Sequence, residues 1–430
     1  MKKIIKSFAF IAGISAFFAF FPGCASCKTE DNSLPENNSL PENNSAPEQN
    51  PNLKEQTLYS IPGEKPETNG FFDCGDFSFP NTKIILIDDK TYPASDKKTD
   101  AFIAAIQKEG KKLIVIDGDI DLSYGKVSDS DHSYFDEFEA DGKRKHADLI
   151  YKVASNTAIV GKQNARLKFG GLWIKNVNNI IIRNIEFYDA HGSTEIDTKI
   201  DKDSKASIDS INIENANNVW VDHCTFSDGK CVDLVRNFNH DGLLDIKKGK
   251  CITVSYCEFF NHDKVMLLRP SDKFSNPEEC EVTLHHNYFH DSIQRMPRSR
   301  GVNAHIYNNY FDNIGTNENK GSSLGPGIGS MYVVENNFFG KYAQTAVKYY
   351  DKSEKTDPTF SKFYQSGNIP QLNASNCAYD KVDKTNDFEA HLTSEKPFAI
   401  NYNYSLDETS SLNEATVKKA GAGNLMKFER

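Results

Sequence analysis

Residues 294–301, QRMPRSRG, place Arg295, Arg298 and Arg300 within six positions of a chain whose formal net charge is -10 at pH 7. Guanidinium groups gathered this way either form a solvated basic loop or grip something anionic. Upstream, HDGLLDIK sets Asp241 and Asp245 four residues apart, Asp209 stands in SIDSINIENANNVWVDH, and NHDK ends at Lys264. Aspartates are hard oxygen donors, and several brought together repel one another unless a cation such as calcium neutralises them. An isolated pair at this spacing is equally at home on a solvated face. What decides between these readings is whether the rest of the chain brings the groups together.

Six related segments could do so: IIIRNIEF (180–187), VWVDHCTF (219–226), ITVSYCEF (252–259), VTLHHNYF (282–289), HIYNNYF (305–311) and YVVENNFF (332–339). Their final phenylalanines are 39, 33, 30, 22 and 28 residues apart, which is too irregular for a propeller but natural for a solenoid whose turns carry insertions of different size. β-branched and aromatic residues alternating at period two make each segment a strand. Aligning on Phe puts Cys224, Cys257, Asn287, Asn309 and Asn337 in one column, as expected for inward side chains stacked in a single-stranded parallel β-helix. The best amphipathic segment is DAFIAAIQKEGKK (100–112), expected to be a short N-terminal helix capped by Thr99 or Asp100 and covering the open first coil.

The 430 residues, with 38% hydrophobic and 11% aromatic content, suffice for one large core. Residues 1–24 read as an export signal: Lys2, Lys3 and Lys6, then an apolar run too short for a comfortable membrane span, then FPGC, which is similar to a bacterial lipobox with Cys24 as the lipidated residue. Residues 25–58 repeat Asn-Asn-Ser-Leu/Ala-Pro-Glu and read as a low-complexity tether, leaving 59–430 as the folded domain with its core at 80–345. Eight cysteines remain after Cys24 in an export context that permits disulfides, and Cys224 with Cys257 could be bridged or simply stacked. The one CxxC, Cys24 to Cys27, falls in the signal and tether region, and with no other pair at metal-ligand spacing a zinc site is not expected. The acidic insert at 128–148 reads as a solvated loop, and no catalytic motif is legible from about 350 to Arg430.

In SNTAIVG, NNIIIRNIEF, NNVWVDH, HDGLLDIK, NHDK, VTLHHNYF, QRMPRSR and HIYNNYF, in this order through most of residues 80–345, the chain resembles the pectate lyases of polysaccharide lyase family one. The resemblance implies a right-handed parallel β-helix that cleaves polygalacturonate by β-elimination, with Ca2+ as cofactor. It matches Asp209, Asp241 and Asp245 to primary calcium ligands, Lys264 and Arg300 to substrate-binding residues, and Arg295 to the catalytic base. Arg298 either binds substrate or shapes the loop.

The chemistry explains these residue types. Loss of the C5 proton of galacturonate leaves a carbanion stabilised through the C6 carboxylate, which a Lewis acid and fixed cations favour. Arginine is an awkward base, its ordinary pKa lying above ~12, so neighbouring cations would have to ease its deprotonation. A galacturonan hydrolase or a non-catalytic β-helical adhesin are the competing readings; the former would require an acid and a base carboxyl across the bond.

Trp220, Asp222 and His223, although they match the family, read as structural, and so do His285 and His286. The departures are Ser207 in place of a further aspartate, Arg269 where relatives carry glycine, and GVNAH at 301–305. The expected partner is the polygalacturonate chain, bound by a monomeric, exported protein that touches membrane only through a lipid anchor; nucleic acid is not expected.

Overall fold

The computed structural model describes residues 68–74, 84–136, 149–192, 208–230, 240–316, 321–351, 356–379 and 388–425. The export signal, the tether, Cys24, Cys27, Cys231 and residues 137–148 of the acidic insert lie outside the described residues. Within them the chain winds as a parallel β-helix. One coil is formed by Gly171–Lys175, Asn178–Arg183 and Glu186–Tyr188; the next places Ile211–Glu214, Asn217–Asp222 and Thr225–Ser227 beside them in parallel register. Parallel neighbours reached by a crossover of this kind wind right-handed.

Each of the six segments expected to be one strand is two strands joined by a corner. The corner residue takes the left-handed conformation: Asn184, His223, Tyr256, His286, Asn308 and Asn336 have φ between 47° and 59°. Three of the six are not asparagine, so turn propensity alone does not reveal the break. The next residue but one from each corner begins the short third face, and between them sits the inward column. There Asn287 Nδ2 donates to Val254 O (3.0 Å), Asn309 Nδ2 to Leu284 O (2.9 Å) and Asn337 Nδ2 to Ile306 O (2.9 Å). Their Oδ1 atoms accept from the backbone N–H of the preceding coil's column residue, and Asn368 extends the ladder by one coil. Corner amides and carbonyls that no sheet can satisfy are thereby paired inside the core. Cys224 and Cys257 are free thiols stacked in the same column, with Cys224 N–H donating to Cys257 Sγ at 3.4 Å; Cys251, by contrast, is disulfide-bonded.

Two residues further on, Phe187, Phe226, Phe259, Phe289, Phe311 and Phe339 stack with centroids 4.7–5.1 Å apart and planes within 10°. Contacts of this type add about 0.5–1.5 kcal/mol each beyond their buried area. The cap helix is Ser95–Gln107, five residues earlier than the sequence suggests. Its N-cap is Ala94, which makes no side-chain cap, while Thr99 lies inside the helix and uses its hydroxyl to bond Asp121 O at 2.9 Å. Phe102 and Ile106 of this helix close the core beside Ile114 and Ile120. The C-terminal segment lies along the outer face of the coils: Tyr402 OH contacts Thr283 and His305, Tyr404 OH donates to Glu335, and Gly423 N–H reaches Asn184 Oδ1.

Candidate active site

The residues of interest come from consecutive coils, just before or within the first strand of each. Asp209 precedes Ile211–Glu214; Asp241 precedes, and Asp245 lies within, Leu244–Ser255; Lys264 precedes Leu267–Leu268; Arg295 precedes Arg298–Ser299. Register locks them together: Ile211 pairs with Leu244, Ile246 with Leu268, Leu267 with Arg298, and Lys264 forms a bridge to Gln294. From the coil of Asp209 to that of Arg295 there are three strand spacings, about 14 Å. The structure therefore lines up these residues along one edge of the helix. A concavity of about 410 Å³ elsewhere on the coils, walled by Asn261, Asp291, Asn313 and Lys341, includes none of them.

Asp209 is 4% exposed. Its Oδ2 accepts from Asn212 Nδ2 at 2.5 Å and its Oδ1 from Gly242 N–H at 2.8 Å; Asp245 Oδ1 accepts from Leu267 N–H at 2.8 Å. These are neutral donors, and they do not offset the charge. Burial, then the neighbouring Asp241 carboxylate, push Asp209 up to about 7. Burial, then the charges of Asp209 and Asp241, raise Asp245 well above the usual carboxylate range. A Cβ on Gly242 would collide with Asp245 Oδ1 and come within 2.9 Å of Asp209 Oδ1, so both oxygens converge on one side of this glycine. Buried oxygens that converge and repel, and that make no ion pair among the described residues, fit a hard divalent cation such as calcium.

The cations differ in how they are held. Arg300 donates Nε to Asp272 Oδ1 at 2.6 Å and lies with Nη1 3.5 Å from Arg269 O. Arg298 places its guanidinium 3.9 Å from the Tyr350 ring centroid. Arg295 makes no ion pair among the described residues, and its Nε is buried without a hydrogen-bond partner. Its φ of 69° is left-handed, the kind of backbone strain that concentrates at functional positions, and its charge is felt at Asp245. Arg269 also has positive φ, 66°, which explains why a glycine suits that position; here the side chain is buried, donating to Glu279 and lying over Phe274.

Three contributors were not picked out from sequence: Asn212, Gly242 and Asp272. Only Gly242, inside HDGLLD, carried a local signal. Trp220, Asp222, His223, His285 and His286 are brought together on a different face and held in a packed network of side chains.

The family model described as pectate lyase matches residues 89–425. The chain is 40% identical to a pectate trisaccharide-lyase of Thermotoga maritima over 208 residues, covering 47% of this chain and 46% of that protein, so it matches about half of that relative's length. It is 32% identical to a Bacillus subtilis pectate lyase over 304 residues, covering 66% and 68% of the two chains. A solved thermostable pectate lyase superposes with TM-score 0.64 at 26% identity over 85% of this chain and 99% of that one. A pectate lyase bound to a hexasaccharide superposes with TM-score 0.65 over 85% of this chain and 100% of that one; at 23% identity it speaks for the fold alone. With more than three quarters of its length matched and its coils, ladder and edge residues laid out in this way, the chain belongs to the pectate lyase family.

Proposed function

We propose that the protein cleaves polygalacturonate by calcium-dependent β-elimination, giving 4,5-unsaturated oligogalacturonates. The observation that carries this reading is the alignment, along one coil edge, of buried carboxylates whose charges repel and an arginine, none of which makes an ion pair among the described residues. Asp209, Asp241 and Asp245 would hold the ion. Bound there, calcium supplies charge stabilisation to the C6 carboxylate of the sugar as its C5 proton becomes acidic.

The chain's own groups do the rest. Lys264 and Arg300 hold flanking carboxylates by charge-assisted bonds, and Arg298, braced on Tyr350, holds the loop and offers a further cation to the polymer. Arg295 accepts the C5 proton; the electron pair moves into the C4–C5 bond, and the C4–O4 bond breaks with O4 leaving on the next sugar. Substrate meets Arg295 without having to displace an ion pair. Arg300, paired to an exposed Asp272, exchanges that partner for a uronate.

Export fits a polymer found outside cells, so residues 1–24 are assigned as the signal, Cys24 as the lipid attachment and 25–58 as the tether of the 59–430 domain. The test is polygalacturonate turnover followed by ultraviolet absorbance of the unsaturated product, with and without chelator. Absorbance that vanishes with chelator and returns with calcium supports the reading. Reducing ends released without that absorbance would make the protein a hydrolase, and absorbance unaffected by chelator would remove the metal from the account.

A further inference from the structure

Asp189 directly follows Glu186–Tyr188, is fully buried and has φ 53°. Three imidazoles surround its carboxylate: His132 Nε2 lies 2.8 Å from Oδ2, His240 Nε2 2.8 Å from Oδ1 and His191 Nδ1 3.5 Å from Oδ1. His132 arrives from the acidic insert, which is pinned to the coils where Tyr188 OH donates to Asp129 (2.9 Å) and Lys230 pairs with Asp129 (2.7 Å). The expectation of a purely solvated loop therefore fails at this end of the insert. The rings of His132 and His191 stack with centroids 4.1 Å apart.

From this arrangement we infer that His132, Asp189 and His191 form a site for a divalent transition metal ion of the zinc class. Their three donor atoms all lie within 4.8 Å of one another. His132 Nε2 and His191 Nδ1 lie 2.8 and 3.5 Å from different oxygens of Asp189, so the carboxylate sits between the two imidazoles with a ligand atom turned to each. Two imidazoles and one carboxylate suit zinc, whereas calcium prefers six to eight oxygen ligands.

An outer layer orients the ligands. His240, donating to Asp189 Oδ1, has its Nδ1 3.5 Å from Asp228 Oδ2; His262 Nδ1 donates to Asp228 Oδ1 at 2.6 Å, and His262 Nε2 donates to the carbonyl of Asp241 at 2.9 Å. Ligating carboxylates and histidines are ordinarily held by partners of this type. A filled site would staple the insert to the coil that carries Asp189, and its outer partners end at the coil edge where Asp241 sits. None of these ligands is a cysteine, and His132 and Asp189 are 57 residues apart, so cysteine spacing could not have disclosed the site.

The experiment uses the full chain, stripped with chelator and exchanged into saturating calcium so that the aspartate edge is occupied. Zinc chloride is then titrated in by calorimetry, and bound zinc is counted after gel filtration. The expected result is one zinc per chain with a raised Tm, and affinity reduced by about tenfold or more in both His132→Ala and His191→Gln. His132→Ala alters a partly exposed loop residue and leaves the core intact, so it still decides the matter where His191→Gln does not fold. No zinc uptake by the wild-type chain, or equal affinity in wild type and His132→Ala, would overturn the site.

Discussion

Two buried regions of the same coils use the same residue types and reach opposite electrostatic ends. On the flank, Asp222 accepts from Arg183 Nε (2.7 Å), His223 Nδ1 (2.7 Å) and Ser255 Oγ (2.6 Å), and Trp220 caps the group with Nε1 donating to Ser255 Oγ. Burial pushes Asp222 up, but the His223 and Arg183 charges with these hydrogen bonds hold it well below the usual carboxylate range. At the coil edge, Asp209 and Asp245 accept only from amide donors among the described residues, burial and neighbouring carboxylate charges outweigh these, and both are raised. A closed network of charges serves the fold; an open one is a place where a ligand completes the electrostatics.

The contrast extends to the arginines. Arg183 is fixed by Asp222 and lies over Trp220, whereas Arg295 has, among the described residues, neither a carboxylate nor, at Nε, any hydrogen-bond partner. The largest expected effect follows from this difference. Arg295→Lys moves the positive charge and removes the fork, so turnover on polygalacturonate falls by roughly 100-fold or more with Tm and calcium affinity nearly unchanged. Arg300→Lys instead weakens polymer binding as well as rate, because its partner is present before the transition state. Initial rates and binding isotherms for the two variants check this; near-normal turnover in Arg295→Lys would place the base elsewhere.

Next in size is Asp222→Asn, which strands Arg183 and His223 beside a neutral amide. Breaking a buried network of this type costs about 3–5 kcal/mol, so the midpoint of urea unfolding drops sharply while calcium affinity of the folded fraction is retained. A variant as stable as wild type would erase the distinction drawn between the two regions.

A smaller effect has the opposite sign. Asp209 and Asp245 bind protons more tightly folded than unfolded, so in metal-free protein their contribution is full below the ordinary carboxylate pKa near 4 and is lost as pH rises through about 7. Buried histidines with lowered pKa, such as His285 at about 3, gain stability over part of the same window. The comparison is therefore made between proteins. In chelator, Asp245→Asn should gain Tm relative to wild type as pH goes from 5 to 8, and excess calcium should reverse the ranking. A pH-independent difference would mean that repulsion at this edge is slight.

How much of this was legible in sequence depends on whether the signal repeats. The coils and the inward column were readable because Phe and Asn or Cys recur at fixed separation from one another, and stacking demands identity at every turn. The corners were not: His223, Tyr256 and His286 are ordinary strand or core residues that only the winding forces into left-handed φ. The helix start was misplaced because Ala94 offers no capping side chain, while Thr99, a good cap by type, serves the neighbouring Asp121 carbonyl. The site residues could be named through family motifs, yet nothing local separates Asp222 from Asp245. Each lies in a strand, and whether it meets Arg183 or Asp209 is decided by coil register.

The central claim is that the coil edge lacks one cation and the flank lacks none. Calcium titrated calorimetrically into metal-free protein at pH 8 tests it most directly, with wild type, Asp245→Asn and Asp222→Asn run side by side under conditions where each is folded. The account predicts calcium uptake by wild type and Asp222→Asn with closely similar affinity, and loss of about tenfold or more in Asp245→Asn. Equal uptake by wild type and Asp245→Asn, or none by wild type, would contradict it.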